Sequence, residues 1–182
     1  LRELSSCFDS LKREDLVLVA AGDGPDREAL MNCAARLSCG DRIIFSGMVD
    51  RECASEYYQM ADIFVSASTS ETQGLTYIEA LACGLPALCR KDSCLDGVVA
   101  DGVNGYQFET KEEFVSYLEK MLTGDGVLED FGTASRRISE RYSMEEFARK
   151  AEEVYYESLL RWERRWSGVP GGLGRAVSFL IR

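Results

Sequence analysis

The stretch from Thr69 to Pro86, TSETQGLTYIEALACGLP, has the residue types of an anion-binding site. Gly74 lies where a helix is predicted to begin, and the free N–H groups of a helix start favour a bound phosphate. Glu71 and Glu79, separated by seven residues, lie on either side of this glycine. Two carboxylates beside a phosphate site would repel the ligand, so their placement needs a chemical explanation.

The composition excludes several classes of partner and catalyst. The 31 acidic residues outnumber the 21 basic ones among 182 residues, and the formal charge of −10 excludes a nucleic-acid backbone as the expected partner. The chain contains no histidine, which removes Ser-His and Cys-His nucleophiles. Its seven cysteines include no pair with zinc or redox spacing, so we expect reduced, mostly buried thiols and no metal site. No apolar run approaches the roughly 20 residues that span a bilayer.

Strand and helix patterns alternate at short intervals through most of the chain. Between the strands lie helical patterns, one of which Pro25 is placed to begin, and another, over 50–62, which Asp50 is placed to cap. This alternation predicts the α/β class, an open parallel sheet with helices on both faces and strands buried on both sides. Apolar runs predict the strands at 16–21, 42–49, 63–68 and 85–90, with a short strand after the Asn104-Gly105 turn.

The two ends of the chain lie outside this alternation. The chain begins at Leu1 with the body of a helix, so we expect the first strand to be missing and residues 1–143 to be a lobe truncated at its N-terminus. Ser143 is placed to cap a helix over 144–166, whose apolar stripe predicts core packing. Residues 167–182 are rich in glycine and are predicted to be a flexible tail.

The end of the last helix and the tail are basic. From Arg161 to Arg182 five arginines stand against one glutamate, a local charge of +4. This surface either docks on a further lobe of the protein or contacts anionic lipid.

Ligands of an open parallel sheet bind beyond the carboxyl ends of its strands. Three predicted loops lie there, at 22–25 (GDGP), 46–50 (SGMVD) and 68–75 (STSETQGL). The first lacks the third glycine of a dinucleotide fingerprint, because Arg27 occupies that offset, and this argues against a nicotinamide-dependent dehydrogenase. We therefore interpret its glycines as turn formers.

The third loop and its helix resemble the donor-binding signature of the retaining glycosyltransferases of GT-B family 4. The matching features are the two glutamates, Gly74 at the helix start and the closing EALACGLP. The order of the motifs GDGP, FSGMV, MADIFVSAS and DGVNGYQF also matches, and the resemblance covers residues 12–150. Within the family, SETQGLTYIEALA and RKDSCLDGVV are most similar to bacterial diacylglycerol glucosyltransferases. The fold implied is the Rossmann-like donor lobe of a GT-B enzyme, followed by a helical C-terminal segment.

The resemblance explains the two carboxylates. A nucleotide-sugar carries a diphosphate between two sets of hydroxyls, those of the ribose and those of the hexose. The backbone N–H groups of Gly74, Leu75 and Thr76 are the implied diphosphate ligands. Glu79 is the implied acceptor for the ribose hydroxyls, and Glu71 the implied catalytic residue that accepts the sugar hydroxyls. The carboxylates then flank the anion and do not contact it.

Two further pairs have alternative interpretations. The resemblance implies that Met48 and Val49 contact the base, mostly through backbone, whereas the sequence alone suggests only a strand end before a helix cap. Arg90 and Lys91 follow a strand and either face the crevice or form a solvated pair.

The resemblance implies front-side displacement on a UDP-sugar, with no histidine base, no metal and no other cofactor. The basic pair that neutralises the leaving diphosphate and the acceptor-binding lobe are expected before Leu1, so this chain alone is expected to be inactive. The implied partners are a nucleotide-sugar and the missing N-terminal lobe of the same enzyme, in the cytoplasm or peripherally at the inner face of a membrane. Two functions stay open: the donor lobe of a hexosyltransferase that moves glucose to an acceptor such as diacylglycerol, and a non-catalytic nucleotide-sugar-binding module.

Overall fold

The structure is a computed structural model that describes residues 2–68 and 74–166. A first compact unit ends at Arg141 and a second begins at Tyr142. The helices in these described ranges are α1 (Arg2–Ser10), α2 (Arg27–Ala34), α3 (Ala54–Gln59), α4 (Leu75–Ala82), α5 (Lys111–Thr123), α6 (Val127–Ser139) and α7 (Met144–Trp166), and the strands are β1 (Leu18–Ala21), β2 (Ile43–Gly47), β3 (Phe64–Ser66), β4 (Ala87–Arg90) and β5 (Gly105–Phe108).

The strands form two parallel sheets with helices on both sides, which confirms the predicted class. β1 pairs with β2, and β3, β4 and β5 form the second sheet in that order. Among the described strands, only β4 is paired along both edges, and β1, β2, β3 and β5 are each paired along one edge. The expectation of a further strand ahead of α1 stays a prediction.

One hydrophobic cluster joins the two sheets. Leu18 of β1 and Val65 of β3 pack against the same buried cluster that contains Phe8 of α1 and Leu88 of β4. Helix α1 also contacts α2 and α5. Side-chain packing around α1 therefore holds both sheets in one compact unit.

The expectation of strands buried on both faces holds for β4 and is wrong for β1 and β2. Val19 and Ile44 lie opposite each other in the β1–β2 ladder and are 39% and 50% exposed. Leu18 and its partner Ile43 project to the other face, where both pack with the core cluster. This two-stranded sheet is covered on one face, so its side chains alternate in burial as they do in a half-buried sheet.

Two predicted helix starts are wrong in detail. Helix α2 begins at Arg27, because Pro25 lies in a turn closed by the Arg27 N–H, which donates to Gly24 O over 3.1 Å. The side chain of Asp50 makes no capping hydrogen bond, and the chain enters α3 through a 3₁₀ turn at Arg51–Cys53. In both places a tight turn precedes the first helical residue.

The second unit is described by the long helix α7 and its start. Ser143 caps this helix as predicted, since its Oγ accepts the Glu146 N–H over 3.2 Å. Ion pairs of Arg149 with Glu146 and Glu153 lie along one side of the helix. The apolar stripe is present, but its large side chains are exposed and form no core among the described residues of this unit. These exposed residues are Phe147, Val154, Tyr155, Leu159 and Trp162.

The predicted tail over 167–182 lies outside the described residues. None of the helices in the described part of the chain is both long enough and apolar enough to cross a membrane.

The Asn104-Gly105 dipeptide has a structural role beyond its predicted turn. Asn104 is fully buried, and its side chain donates to Val98 O over 2.9 Å and accepts the Ala100 N–H over 2.8 Å. A Cβ at position 105 would lie 1.9 Å from Ala87 O, so only glycine lets β5 approach β4. Asn104 therefore holds the loop through its two hydrogen bonds, and Gly105 allows the following strand, β5, to pair closely with β4.

Replacing Asn104 with alanine should destabilise the first unit strongly. The change leaves a buried carbonyl and a partly buried N–H without these partners, and we expect it to lower the free energy of unfolding by about 2–4 kcal/mol. Urea denaturation measures the loss, and Asn32→Ala, on the exposed side of α2, is the matched control with almost no expected effect. Equal stabilities of the two variants would contradict the role given to Asn104.

Candidate functional site

The site is organised by the start of helix α4. Gly74 precedes the helix in a left-handed conformation, with φ of 61°, and is buried. Its carbonyl accepts the N–H groups of Tyr77 over 3.0 Å and Ile78 over 3.3 Å, so the helix begins at this glycine as predicted. A side chain at this φ would cost about 1–2 kcal/mol, which is the physical reason for a glycine here.

The first turn of α4 is suited to an anion. Leu75 and Thr76 supply N–H groups at positions where an α-helix offers no internal acceptor, and their side chains are exposed. No acidic residue lies in this first turn, so no side chain there neutralises the positive end of the helix dipole or repels a bound anion. These are the backbone groups that the sequence predicts as phosphate ligands.

Glu79 lies on the exposed side of the same helix and has a partner on α3. The Tyr58 hydroxyl donates to Glu79 Oε2 over 3.1 Å. α3 packs against α4, which brings these two side chains together. The carboxylate is therefore both accessible and oriented, and its remaining acceptor positions can take hydroxyl groups of a ligand.

Sequence reasoning missed Tyr58. Burial raises the pKa of its phenol well above the usual value, with smaller contributions from the charge of Glu79 and the hydrogen bond between them. The hydroxyl therefore keeps its proton and donates at neutral pH. The available signal was the order of the elements, because α3 and α4 are consecutive helices and consecutive elements are usually adjacent in space.

Met48 and Val49 lie at the carboxyl end of β2, in the segment that leads towards α3. The Gly22 N–H donates to Gly47 O over 2.8 Å, which ties this strand end to the GDGP loop. Met48 is 75% exposed and Val49 is partly buried. Exposed backbone and an exposed thioether could border a flat ligand, but their predicted contact with a base stays a prediction.

Arg27 is a second residue whose role sequence reasoning missed. The sequence identifies it only as the residue that breaks a dinucleotide fingerprint. In the structure it opens α2, and its guanidinium lies 3.9 Å from the position that a Cβ of Gly47 would occupy. Its buried Nε has no hydrogen-bond partner among the described residues. A cation thus lies beside the joined ends of β1 and β2.

Arg90 and Lys91 are engaged by acidic neighbours, so the solvated-pair interpretation is wrong for Arg90. Arg90 forms an ion pair with Glu3 of α1, donates to Glu109 O over 3.2 Å and lies over the Phe108 ring. Lys91 lies 2.5 Å from a carboxylate oxygen of Glu109, and this hydrogen bond raises the pKa of Lys91. Arg90 is thus paired with a carboxylate on α1, and Lys91 with a carboxylate that follows β5.

Glu71 falls within 69–73, outside the described residues, so its predicted role as the catalytic carboxylate stays a prediction. Within the described ranges no three histidine, cysteine or carboxylate side chains come together as a group that could hold a metal ion. The geometry thus consists of a helix start for an anion and, on the same helix, a held carboxylate for hydroxyls.

Comparison with known proteins identifies relatives over most of the chain. The chain is 36% identical over 153 residues to the alpha-monoglucosyldiacylglycerol synthase of Streptococcus pneumoniae, and the match covers 84% of this chain and 34% of that protein. The synthase of the same name from Acholeplasma laidlawii is 36% identical over 141 residues, covering 78% of this chain and 35% of that protein. The chain spans about a third of the length of these relatives.

Solved structures share the fold. The Anabaena protein HepE in complex with UDP matches with a TM-score of 0.76 at 18% identity, over 85% of this chain and 44% of that one. The pneumococcal O-GlcNAc transferase GtfA, in complex with UDP and GlcNAc, matches with a TM-score of 0.73 at 23% identity, over 87% and 32%. These similarities confirm the predicted GT-B lobe architecture.

The family profile described as glycosyl transferases group 1 matches residues 1–138. This match covers most of the 182 residues and includes every element of the candidate site. The chain therefore belongs to the group 1 glycosyl transferases.

Proposed function

We propose that the chain is the donor-binding lobe of a retaining hexosyltransferase that moves glucose from UDP-glucose to diacylglycerol. The observation that carries the proposal is the Glu79 carboxylate, held by Tyr58 on the helix that begins at the left-handed Gly74. One helix then offers separate positions for the anionic part and a hydroxyl-bearing part of a nucleotide-sugar. Membership of the group 1 glycosyl transferases supports the same reaction class.

The spacing along α4 suits the ribose side of the donor. Helical residues rise by about 1.5 Å each, so Glu79 lies about 6 Å along the axis from Leu75. A diphosphate at the N–H groups of Gly74, Leu75 and Thr76 would place the adjacent ribose within reach of Glu79. In this proposal Glu71, on the other side of Gly74 in the sequence, accepts the sugar hydroxyls.

The same groups have a catalytic use. As the bond from the sugar to UDP breaks, negative charge grows on the diphosphate, and fixed N–H dipoles at the helix start stabilise it more in the transition state than in the ground state. In a front-side displacement the leaving phosphate accepts the proton of the attacking hydroxyl. Such a step needs neither a histidine nor a metal ion.

Diacylglycerol is proposed as the acceptor because two relatives at 36% identity are named alpha-monoglucosyldiacylglycerol synthases. A glycolipid product would be made at the cytoplasmic face of a membrane.

The apolar stripe of α7 is proposed to pack towards an N-terminal lobe, and Met48 and Val49 are proposed to border the base. The basic segment after Arg161 either docks on that lobe or contacts anionic lipid.

A second candidate function is a non-catalytic nucleotide-sugar-binding module. The observation that favours it is the engagement of Arg90 and Lys91 by Glu3 and Glu109, which occupies both cations at the end of β4. An enzyme needs further positive charge at the diphosphate, and the proposed enzyme obtains it from a basic pair upstream of this lobe. The hexosyltransferase requires this upstream basic pair, whereas the non-catalytic binding module does not.

Glu79→Ala should weaken UDP binding. Loss of a charged acceptor for the ribose hydroxyls should cost about 1–3 kcal/mol, which is about a five- to 150-fold increase in Kd. Calorimetry in the presence of a chelator measures the change and tests binding without divalent metal. Glu129→Ala, at an exposed position on α6, is the matched control. Unchanged affinity of the Glu79 variant would remove the ribose contact from the proposal.

Glu71→Ala should separate the two ends of the donor. UDP carries no hexose, so its Kd should not change, whereas the Kd of UDP-glucose should rise because hexose hydroxyls lose their acceptor. Competition calorimetry with both ligands gives the two values on one preparation. An equal loss for UDP and UDP-glucose would show that Glu71 acts elsewhere than at the sugar.

The 182-residue chain by itself should transfer no sugar. Donor binding gives no rate unless an acceptor is held in line and the leaving charge is neutralised. Incubation with radiolabelled UDP-glucose and diacylglycerol micelles, with and without an N-terminal lobe supplied in trans, measures transfer. Glucolipid made by the chain alone would place the catalytic charges within it, and Arg90→Ala would then test the nearest candidate. Failure of the added lobe to produce any transfer would favour the non-catalytic module.

A further inference from the structure

We propose that Tyr58 is a positioning residue that makes the site selective for a ribose over a 2′-deoxyribose. It does so by holding one oxygen of Glu79, so that the other oxygen is presented to the sugar diol of the nucleotide. This inference rests on the proposed function, because it takes Glu79 as the carboxylate that binds the ribose.

The first step is the freedom that Glu79 would otherwise have. Its side chain is on the exposed side of α4, where a glutamate samples many rotamers. The hydrogen bond from Tyr58 goes to Oε2 over 3.1 Å, and each carboxylate oxygen can accept more than one hydrogen bond. Holding one oxygen therefore reduces the rotamers without using up the acceptor positions that a diol needs.

The second step is the rigidity of Tyr58 itself. Its ring packs edge to face on Phe64, with centroids 6.1 Å apart, and Phe64 packs in the same way on Tyr77 at 5.4 Å. Tyr77 donates its hydroxyl to Ser66 Oγ over 2.8 Å. This row of three rings ties α3 to β3 and α4, so the Tyr58 hydroxyl is held in place by the fold and not by the ligand.

The third step is the direction of the hydrogen bond. Burial raises the pKa of the Tyr58 phenol, so at neutral pH the hydroxyl keeps its proton and donates a hydrogen bond to Glu79 Oε2. A ribose hydroxyl that binds Glu79 must then also donate. A 2′-deoxyribose has one such donor fewer, and the oriented carboxylate loses one of its two hydrogen bonds to the sugar.

The alternative is that Tyr58 only clips α3 to α4. A clip formed by the Tyr58–Glu79 hydrogen bond would affect all ligands equally. A positioning residue acts through Glu79 and affects the ribonucleotide more than the deoxynucleotide. The ratio of the two dissociation constants therefore separates the roles, and because both ligands meet the same folded fraction, the ratio is insensitive to any loss of stability in a variant.

The experiment measures Kd for UDP and for 2′-deoxy-UDP by calorimetry on the 182-residue chain and four variants. Tyr58→Phe removes the hydroxyl and keeps the ring, and Tyr57→Phe makes the same change one residue earlier on α3 as a matched control. Glu79→Ala and the double variant Tyr58→Phe/Glu79→Ala complete a double-mutant cycle.

We expect Tyr58→Phe to weaken UDP binding about three- to tenfold, as for the loss of one ordered side chain, and to weaken 2′-deoxy-UDP binding less. The control should match the unchanged chain, and Tyr58→Phe should have no effect in the Glu79→Ala background. Equal losses for both nucleotides would show a clip, and a loss that persists without Glu79 would show that the Tyr58 hydroxyl acts elsewhere; either result would overturn the inference. A Tyr58→Phe variant with unchanged UDP affinity would overturn it while leaving the Glu79 contact standing. Unchanged UDP affinity of Glu79→Ala would overturn both.

Discussion

The left-handed backbone at Gly74 is the constraint on which the candidate site depends. It ends the segment after β3 and directs α4 so that Tyr77, Ala80 and Leu81 are buried. The same direction leaves Glu79 exposed on the opposite side of the helix, within reach of α3. A residue with a Cβ would strain this turn, and a different turn would change the direction of every side chain on the helix. The exposed N–H groups of the helix start and the position of the carboxylate are thus set by one backbone conformation.

An acidic chain can bind an anionic donor because the relevant charges are local. The formal charge of −10 is spread over the whole surface, whereas the first turn of α4 contains no acidic side chain. Backbone dipoles at a helix start act within a few ångströms, and salt screens the more distant charges. In the proposed function the two glutamates on either side of Gly74 accept hydroxyl groups, which a carboxylate attracts. Net charge therefore says little about this site, and the order of charges along one helix says much more.

The sequence was sufficient for the features that depend on local pattern. The alternation of strands and helices, the helix start at Gly74 and the Ser143 cap all follow from residue type and spacing, and the structure has them. It was insufficient where position depends on neighbours distant in the chain. The Tyr58–Glu79 pair needs two helices to be adjacent, and the pairing of Arg90 with Glu3 joins residues 87 positions apart. Burial of β1 was overestimated because an apolar run shows how a strand is composed and not which of its faces is covered.

The exposed face of the β1–β2 sheet has a consequence for handling the protein in solution. Val19 and Ile44 present apolar surface there, and the described strand β1 has one edge with no neighbour. Unpaired edges and apolar faces are where strands of separate molecules add to each other. Association of this kind depends on concentration, so at high protein concentration a measured ligand affinity would belong to a mixture of species. The measured ligand affinity of this chain is therefore expected to depend on protein concentration, as it depends on salt or pH.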